Sequence, residues 1–259
     1  MSVSRMCAVR ILLKSFGVSV FVIALTYAFR NYLNTGSFIA DAGGISVFAS
    51  IYGTLYGIAV ALVLLEVLSE FNKTSGLIDR EATGLERLFR LTLYFGNNRL
   101  TEKMRVCVKK YIDFVIKDNF ESLASGKREK ESSKAFREIA DVVKNIKIAD
   151  DRNSVVFHHV VHHYGDLSQT RTDRITYSLT RLPVPLKVFL YSTSLFTIFI
   201  TMVTPFANMY YGFITTGALV FIISTIFQII EDLDNPFMGF WNITTEPFKR
   251  AWKHIEEDY

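Results

Sequence analysis

Apolar residues in this chain are bunched rather than spread. Runs at residues 11–29, 45–68, 184–204 and 210–230 are almost free of charge. Each is about 19 to 24 residues long, and at about 1.5 Å rise per residue that length crosses a hydrocarbon layer of about 30 Å. The pattern predicts four membrane helices. Between the second and third runs the period changes. Ile78, Ala82, Leu85 and Phe89 recur at helical spacing, as do Met104, Val108, Tyr111 and Val115, and again Phe136, Ile139, Val143 and Ile146. No alternating run long enough for a strand interrupts them. The expected fold is all-α: a four-helix transmembrane protein with a helical cytoplasmic region between spans two and three. Its expected parts are residues 1–68 (N-terminal tail and spans one and two), 69–183 (helical region), 184–230 (spans three and four) and 231–259 (cytoplasmic C-terminal tail).

Local signals refine this plan. Thr101 and Ser133 are candidate N-caps, and Gly96-Asn97-Asn98 and the polar stretch from Ser122 to Ser133 read as loops. Leu182-Pro183-Val184-Pro185 marks re-entry into the membrane, because proline tolerates an extended backbone or a first helical turn and little else. On the other side lie only a short loop at 31–44 and a tight turn at 205–209.

Charge sets the orientation. With four spans both termini fall on one side, together with the central region. Of 29 Lys and Arg, only Arg30 is left for the opposite side. Basic residues are retained in the cytoplasm, which implies a multi-pass protein of the cell (inner) membrane with both termini inside. Arg5, Arg10 and Lys14 before an apolar core resemble a signal peptide, but bulky residues follow where a cleavage site wants small ones, so residues 11–29 are read as a span. Cys7 and Cys107 are expected as free thiols in a reducing compartment. The net charge of +4 is then mostly topology, and no basic stretch interleaved with aromatics argues for nucleic acid.

Candidate chemistry is sparse. Span three carries Ser194, Thr197, Thr201 and Thr204 on one face, suited to bonding back to its own helix or to packing against a neighbour. Span four carries Gly217, Ser224, Gln228 and Glu231 on one face and ends in Glu231, Asp232 and Asp234, before Asn235, Pro236 and Phe237. Acids at a helix exit oppose the helix dipole and call for partners. In span two, Gly53, Gly57 and Ala61 form a small-residue stripe suited to close packing. Beside it, Thr54, Ile58, Leu62, Glu66 and Glu70 follow at successive i+4 steps. If the small stripe packs against other helices, the second stripe can face an axis, giving an apolar constriction above a carboxylate ring. The alternative is that Ile58 and Leu62 face lipid while Glu66 reaches the interface. His158, His159, His162 and His163 cluster in FHHVVHHYGD. His158 and His162 are weak metal candidates, because adjacent histidines are not expected to converge on one ion. No nucleophile elbow, phosphate loop or HExxH motif occurs, so no enzyme and no cofactor are expected.

The segment from Glu231 through Gly239 resembles the acidic Asn-Pro-Phe-Gly step that follows the last membrane helix of bestrophins. LYGIA (Leu55 to Ala59), IDREATGLERLFRL (Ile78 to Leu91) and RLPVPL are more similar to a bestrophin-like family carrying a D-R-E-A step after the second helix. The resemblance covers the whole four-span plan. It implies a homo-oligomeric ion channel, pentameric as in known members, with Ile58 and Leu62 at a neck and Glu66 where the neck ends. It implies too that the acids and Pro-Phe form a buried turn plugged by Phe237. This chain departs from the pattern where Gly239-Phe240-Trp241-Asn242 replaces the calcium-clasp acids, and in lacking neck aromatics and the tryptophan pair near Arg80. The reading is an oligomeric, passive ion channel in a lipid bilayer, leaning to cations through Glu66 and Glu70. The competing reading is a membrane-anchored scaffold or sensor without a pore.

Overall fold

The computed structural model describes residues 3–32, 42–118, 120–127, 130–148, 151–204 and 206–259. Among these residues it contains nine helices and no strand: α1 Val3–Tyr32, α2 Ala42–Leu93, α3 Asn98–Asp118, α4 Glu121–Ala124, α5 Lys130–Lys144, α6 Asp151–Leu179, α7 Val184–Val203, α8 Met209–Asp234 and α9 Glu246–Glu257. Four helical stretches are long and apolar enough to cross a membrane, and they include α1, the first half of α2, α7 and α8. The chain is an all-α membrane protein. It divides into two compact units, one of residues 1–69 and 181–234, the other of residues 70–180 and 235–259. Most of the predicted 31–44 loop, the side chain of Cys7 and Pro205 of the predicted tight turn lie outside the described residues.

In the first unit α1 packs on α8 through small and hydroxyl-bearing side chains. Ser15, Ser19 and Thr26 are buried on α1, and Gly212, Thr216, Gly217 and Val220 on α8. Small residues matter here because lipid gives no hydrophobic push, so attraction depends on close van der Waals approach. A Cβ at Gly217 would stand 2.6 Å from Ile23 Cδ1, and at Gly212 2.7 Å from an Arg30 guanidinium nitrogen. Arg30, the one basic residue assigned to the opposite side, is built into this unit. It donates to the carbonyls of Met202 and Thr204 at 3.3 and 3.1 Å and lies over the rings of Phe206 and Phe213. Its charge meets the negative end of the α7 dipole and the carbonyls that a helix C-terminus leaves unbonded.

The second unit has one continuous apolar core. Every periodic residue predicted for it is buried: Ile78, Ala82, Leu85 and Phe89 of α2, Met104, Val108, Tyr111 and Val115 of α3, and Phe136, Ile139, Val143 and Ile146 of the α5 segment. Two caps differ from expectation. Asn97, not Thr101, starts α3, its side-chain oxygen accepting from the Arg99 and Leu100 amides at 3.1 and 3.2 Å. Ser133 lies inside α5, where its hydroxyl accepts from Arg171 at 2.9 Å. The predicted loop from Ser122 to Ser133 holds the end of α4 and the start of α5, and between them Gly126 takes a left-handed φ of +77° that a side chain would strain. The C-terminal tail is not a plain tail either. Pro247 opens α9, which buries Phe248, Ala251 and Ile255 in the same core.

A one-sided helix face, an acidic helix end and a histidine cluster

The orientation of α2 in the first unit is fixed from one side. Tyr52 donates to the Thr193 carbonyl at 3.0 Å, Tyr56 shares a 2.7 Å hydrogen bond with Ser194, and Tyr52 packs edge-on against Phe196. Val60, Val63 and Val67 continue that face inward at 5, 7 and 4% exposure. Two residues along a helix is about 200° around it. Thr54, Ile58, Leu62 and Glu66 consequently point away, with Ile58 and Leu62 at 55 and 62% exposure. Among the described residues no neighbouring helix packs against the small stripe. Nothing lies within 4 Å of a Cβ placed on Gly53 or Gly57, and Ala61 is exposed. Both stripes are open among the described residues.

Glu70, one turn beyond Glu66, belongs to the second unit. It is half-buried and accepts from Lys73 at 2.8 Å. Its other carboxylate oxygen, Oε2, is buried without a hydrogen-bond partner among the described residues, whereas Glu66 is exposed.

Two of the acids that close α8, Glu231 and Asp234, find partners within the first unit. Glu231 accepts from the Tyr191 hydroxyl. Asp234 accepts from the Leu182 amide at 2.6 Å and from the Lys187 ammonium at 2.5 Å, bridging to the first turn of α7. The arrangement solves two problems at once. A carboxylate at a helix C-terminus and an ammonium at a helix N-terminus each oppose the local dipole, and each relieves the other. Asp232 is partly buried. The hydroxyls of α7 bond back to their own helix: Ser194, Thr197, Thr201 and Thr204 each donate to the carbonyl four residues earlier at 2.6–2.8 Å. Gln228 reaches α1, donating to Ser15 Oγ at 2.7 Å.

Past α8 the chain enters the second unit. Pro236 is buried, the Asn235 amide donates to the Ala124 carbonyl at 3.3 Å, and Phe237 packs 4.8 Å from the Phe120 ring at 8% exposure. Phe237 is an apolar plug in that unit's core.

A buried polar centre in the second unit has no counterpart among the sequence expectations. Glu81 and Arg174 are both fully buried, with Arg174 Nε 2.5 Å from Glu81 Oε2. Tyr111 donates to the other Glu81 oxygen, and Arg171 donates to the Tyr111 hydroxyl at 3.1 Å. The signal was present: Glu81 interrupts the apolar stripe three residues after Ile78 and four before Leu85, a face where an unpaired acid would not be tolerated.

The histidines lie on α6. His158 and His159 are exposed, and one turn later His162, His163 and Asp166 bring their ligating atoms within 4.8 Å of one another. Asp166 stands at i+4 from His162 and i+3 from His163, on the same side of the helix as both, while His158 and His159 are not part of this group. Cys107 is half-buried and free, and burial, with Glu138 nearby, pushes its thiol pKa up.

The fold and these features define a four-span helical membrane protein with a long second helix and an acidic Asn-Pro-Phe turn after the fourth span. Residues 16–248 match the Bestrophin-like domain, and the chain belongs to the Bestrophin-like family. Among solved structures it is similar to a point variant of a bacterial bestrophin homologue from Klebsiella pneumoniae, with a TM-score of 0.67 at 10% identity, covering 95% of this chain and 97% of that one. A second variant of that homologue gives 0.62 at 10% identity over 96% and 99%. A crystal structure described only as a membrane protein gives 0.71 at 11% identity over 95% and 96%. At such identities the likeness is one of fold. A search of curated proteins finds no match.

Proposed function

We propose that this protein is an oligomeric ion channel of the cell membrane, a homopentamer with both termini in the cytoplasm, whose α2 helices surround a central pore. Family membership and fold support the channel kind. The observation that carries the pore reading is the one-sided packing of α2: tyrosines and valines anchor one face, while Thr54, Ile58, Leu62 and Glu66 are exposed on the other, the Thr54 hydroxyl bonding back to the Ser50 carbonyl of its own helix. In a ring of copies this face lines an axis, with Ile58 and Leu62 as an apolar constriction that opens and closes by wetting. Glu66 then forms a carboxylate ring that draws inorganic cations, and Glu70, damped by Lys73, adds less. Gly53, Gly57 and Ala61 are the surface for the adjacent copy's helices, where absent side chains allow close approach.

The test is ion flux through the purified full chain in liposomes, with oligomeric state measured in detergent. Wild type is expected to pass small ions, and Glu66→Gln to shift the reversal potential away from the cation value. Cross-linking that yields only monomers removes the pore. Oligomers that pass no ion at any salt or pH favour a scaffold built on the second unit.

A further inference from the structure

We propose that α6 carries a binding site for a divalent ion of the zinc type, held by His162, His163 and Asp166. The donor atoms already lie within 4.8 Å of one another. In a tetrahedral zinc site with bonds of about 2.0–2.1 Å, ligands stand about 3.3 Å apart. The difference is within reach of side-chain rotation on exposed groups, and the backbone has no need to move. His162 Nδ1 is 3.1 Å from Asp166 Oδ2, so this pair is in register across one turn. His162 and Asp166 are exposed and His163 is half-buried, which opens the face to an ion from solution. Gly165, between His163 and Asp166 in the chain, has nothing within 4 Å of where its Cβ would stand.

The donor set chooses the metal. Two imidazole nitrogens and one carboxylate oxygen suit zinc, nickel or copper, whereas calcium and magnesium prefer shells of oxygen alone. Three protein ligands on an exposed surface leave the fourth position to water, so the ion exchanges readily instead of holding the fold together. A structural cysteine-rich zinc site would be closed and permanent. Protons compete for the same nitrogens, and binding weakens as pH falls. The site is independent of the channel reading, because its ligands lie on one helix of the second unit.

Equilibrium dialysis of the purified, tag-free full chain against zinc chloride at pH 7.5 tests the proposal. One zinc per subunit is expected. His162→Ala and Asp166→Asn are each expected to weaken it about ten-fold or more, with helicity unchanged by circular dichroism. His158→Ala combined with His159→Ala is expected to leave the affinity within about two-fold, and excess calcium is expected not to displace the ion. Wild type that binds no zinc overturns the proposal. So does zinc binding unchanged in His162→Ala/Asp166→Asn, loss confined to the His158/His159 variant, or displacement by equimolar calcium.

Discussion

The two units of this chain differ most in what they leave exposed. The second unit hides Leu, Ile, Val and Phe in one continuous cluster and shows charge to its surroundings. In the first, Leu12, Phe21, Leu55, Leu62, Leu195 and Phe199 are exposed, while Ser15, Ser19, Thr26, Ser194, Thr197 and Thr216 are buried. One rule explains both, which is that each unit presents to its solvent what that solvent tolerates. Water repels apolar surface, so apolar side chains pack together. Lipid does not, so helices there meet through small residues and through hydroxyls such as those of Ser19, Thr26, Ser194 and Thr197, which bond back to their own helix carbonyls. Charge is handled differently too. The second unit contains a fully buried Glu81–Arg174 pair, whereas in the first Arg30 and Asp234 complete unfinished backbone at helix ends and Glu66, mid-helix, is exposed.

The contrast can be broken most strongly at the buried pair. Glu81→Ala strands the Arg174 guanidinium in a core, and the second unit should lose about 3–5 kcal/mol, seen as early unfolding by circular dichroism in detergent. Glu81→Leu with Arg174→Met should recover much of that loss, because two apolar groups leave no charge uncompensated. A matched pair of truncations sharpens the comparison. Leu85→Ala, fully buried in the second unit, should cost about 2–5 kcal/mol. Leu195→Ala, 70% exposed in the first, should stay within about 0.5 kcal/mol in the same denaturation. Between these lies Gly217→Val, which drives a side chain into Ile23 and should cost about 1–3 kcal/mol by forcing α1 and α8 apart. The smallest effect concerns Cys107. Its raised thiol pKa means that the reactive thiolate is scarce at neutral pH and grows only as pH rises beyond the ordinary thiol range. In a Cys7→Ser background, maleimide labelling at pH 7.5 should be slower than for free cysteine and should speed up with pH. Equal rates at pH 7.5 would contradict the burial.

The four spans were legible because a run of about 20 apolar residues has few other uses. The core of the second unit was legible because helical periodicity in water reports burial directly. Other features were not. Thr101 and Ser133 have the right chemistry for caps, but capping depends on which residue leaves the helical backbone first, and Asn97 does. The short α4 and the tail helix α9 are held by contacts distant in sequence, with Phe120 and Phe248 meeting in one core. The grouping of Asp166 with His162 and His163 depends on side-chain rotamers, which spacing alone does not fix.

By itself the sequence determined how many times the chain can cross a membrane, which residues of the central region form a core, and where acids and prolines end or start a helix. These follow from local length, period and backbone chemistry. Only the tertiary structure decided which side of α2 is anchored, since in lipid every face of an apolar helix reads alike until Tyr52 and Tyr56 find Thr193 and Ser194. It also decided that Glu81 pairs with Arg174, 93 residues away, and that Asp234 completes the start of α7. Such partners are fixed by where helices lie in space, and no local pattern carries that information.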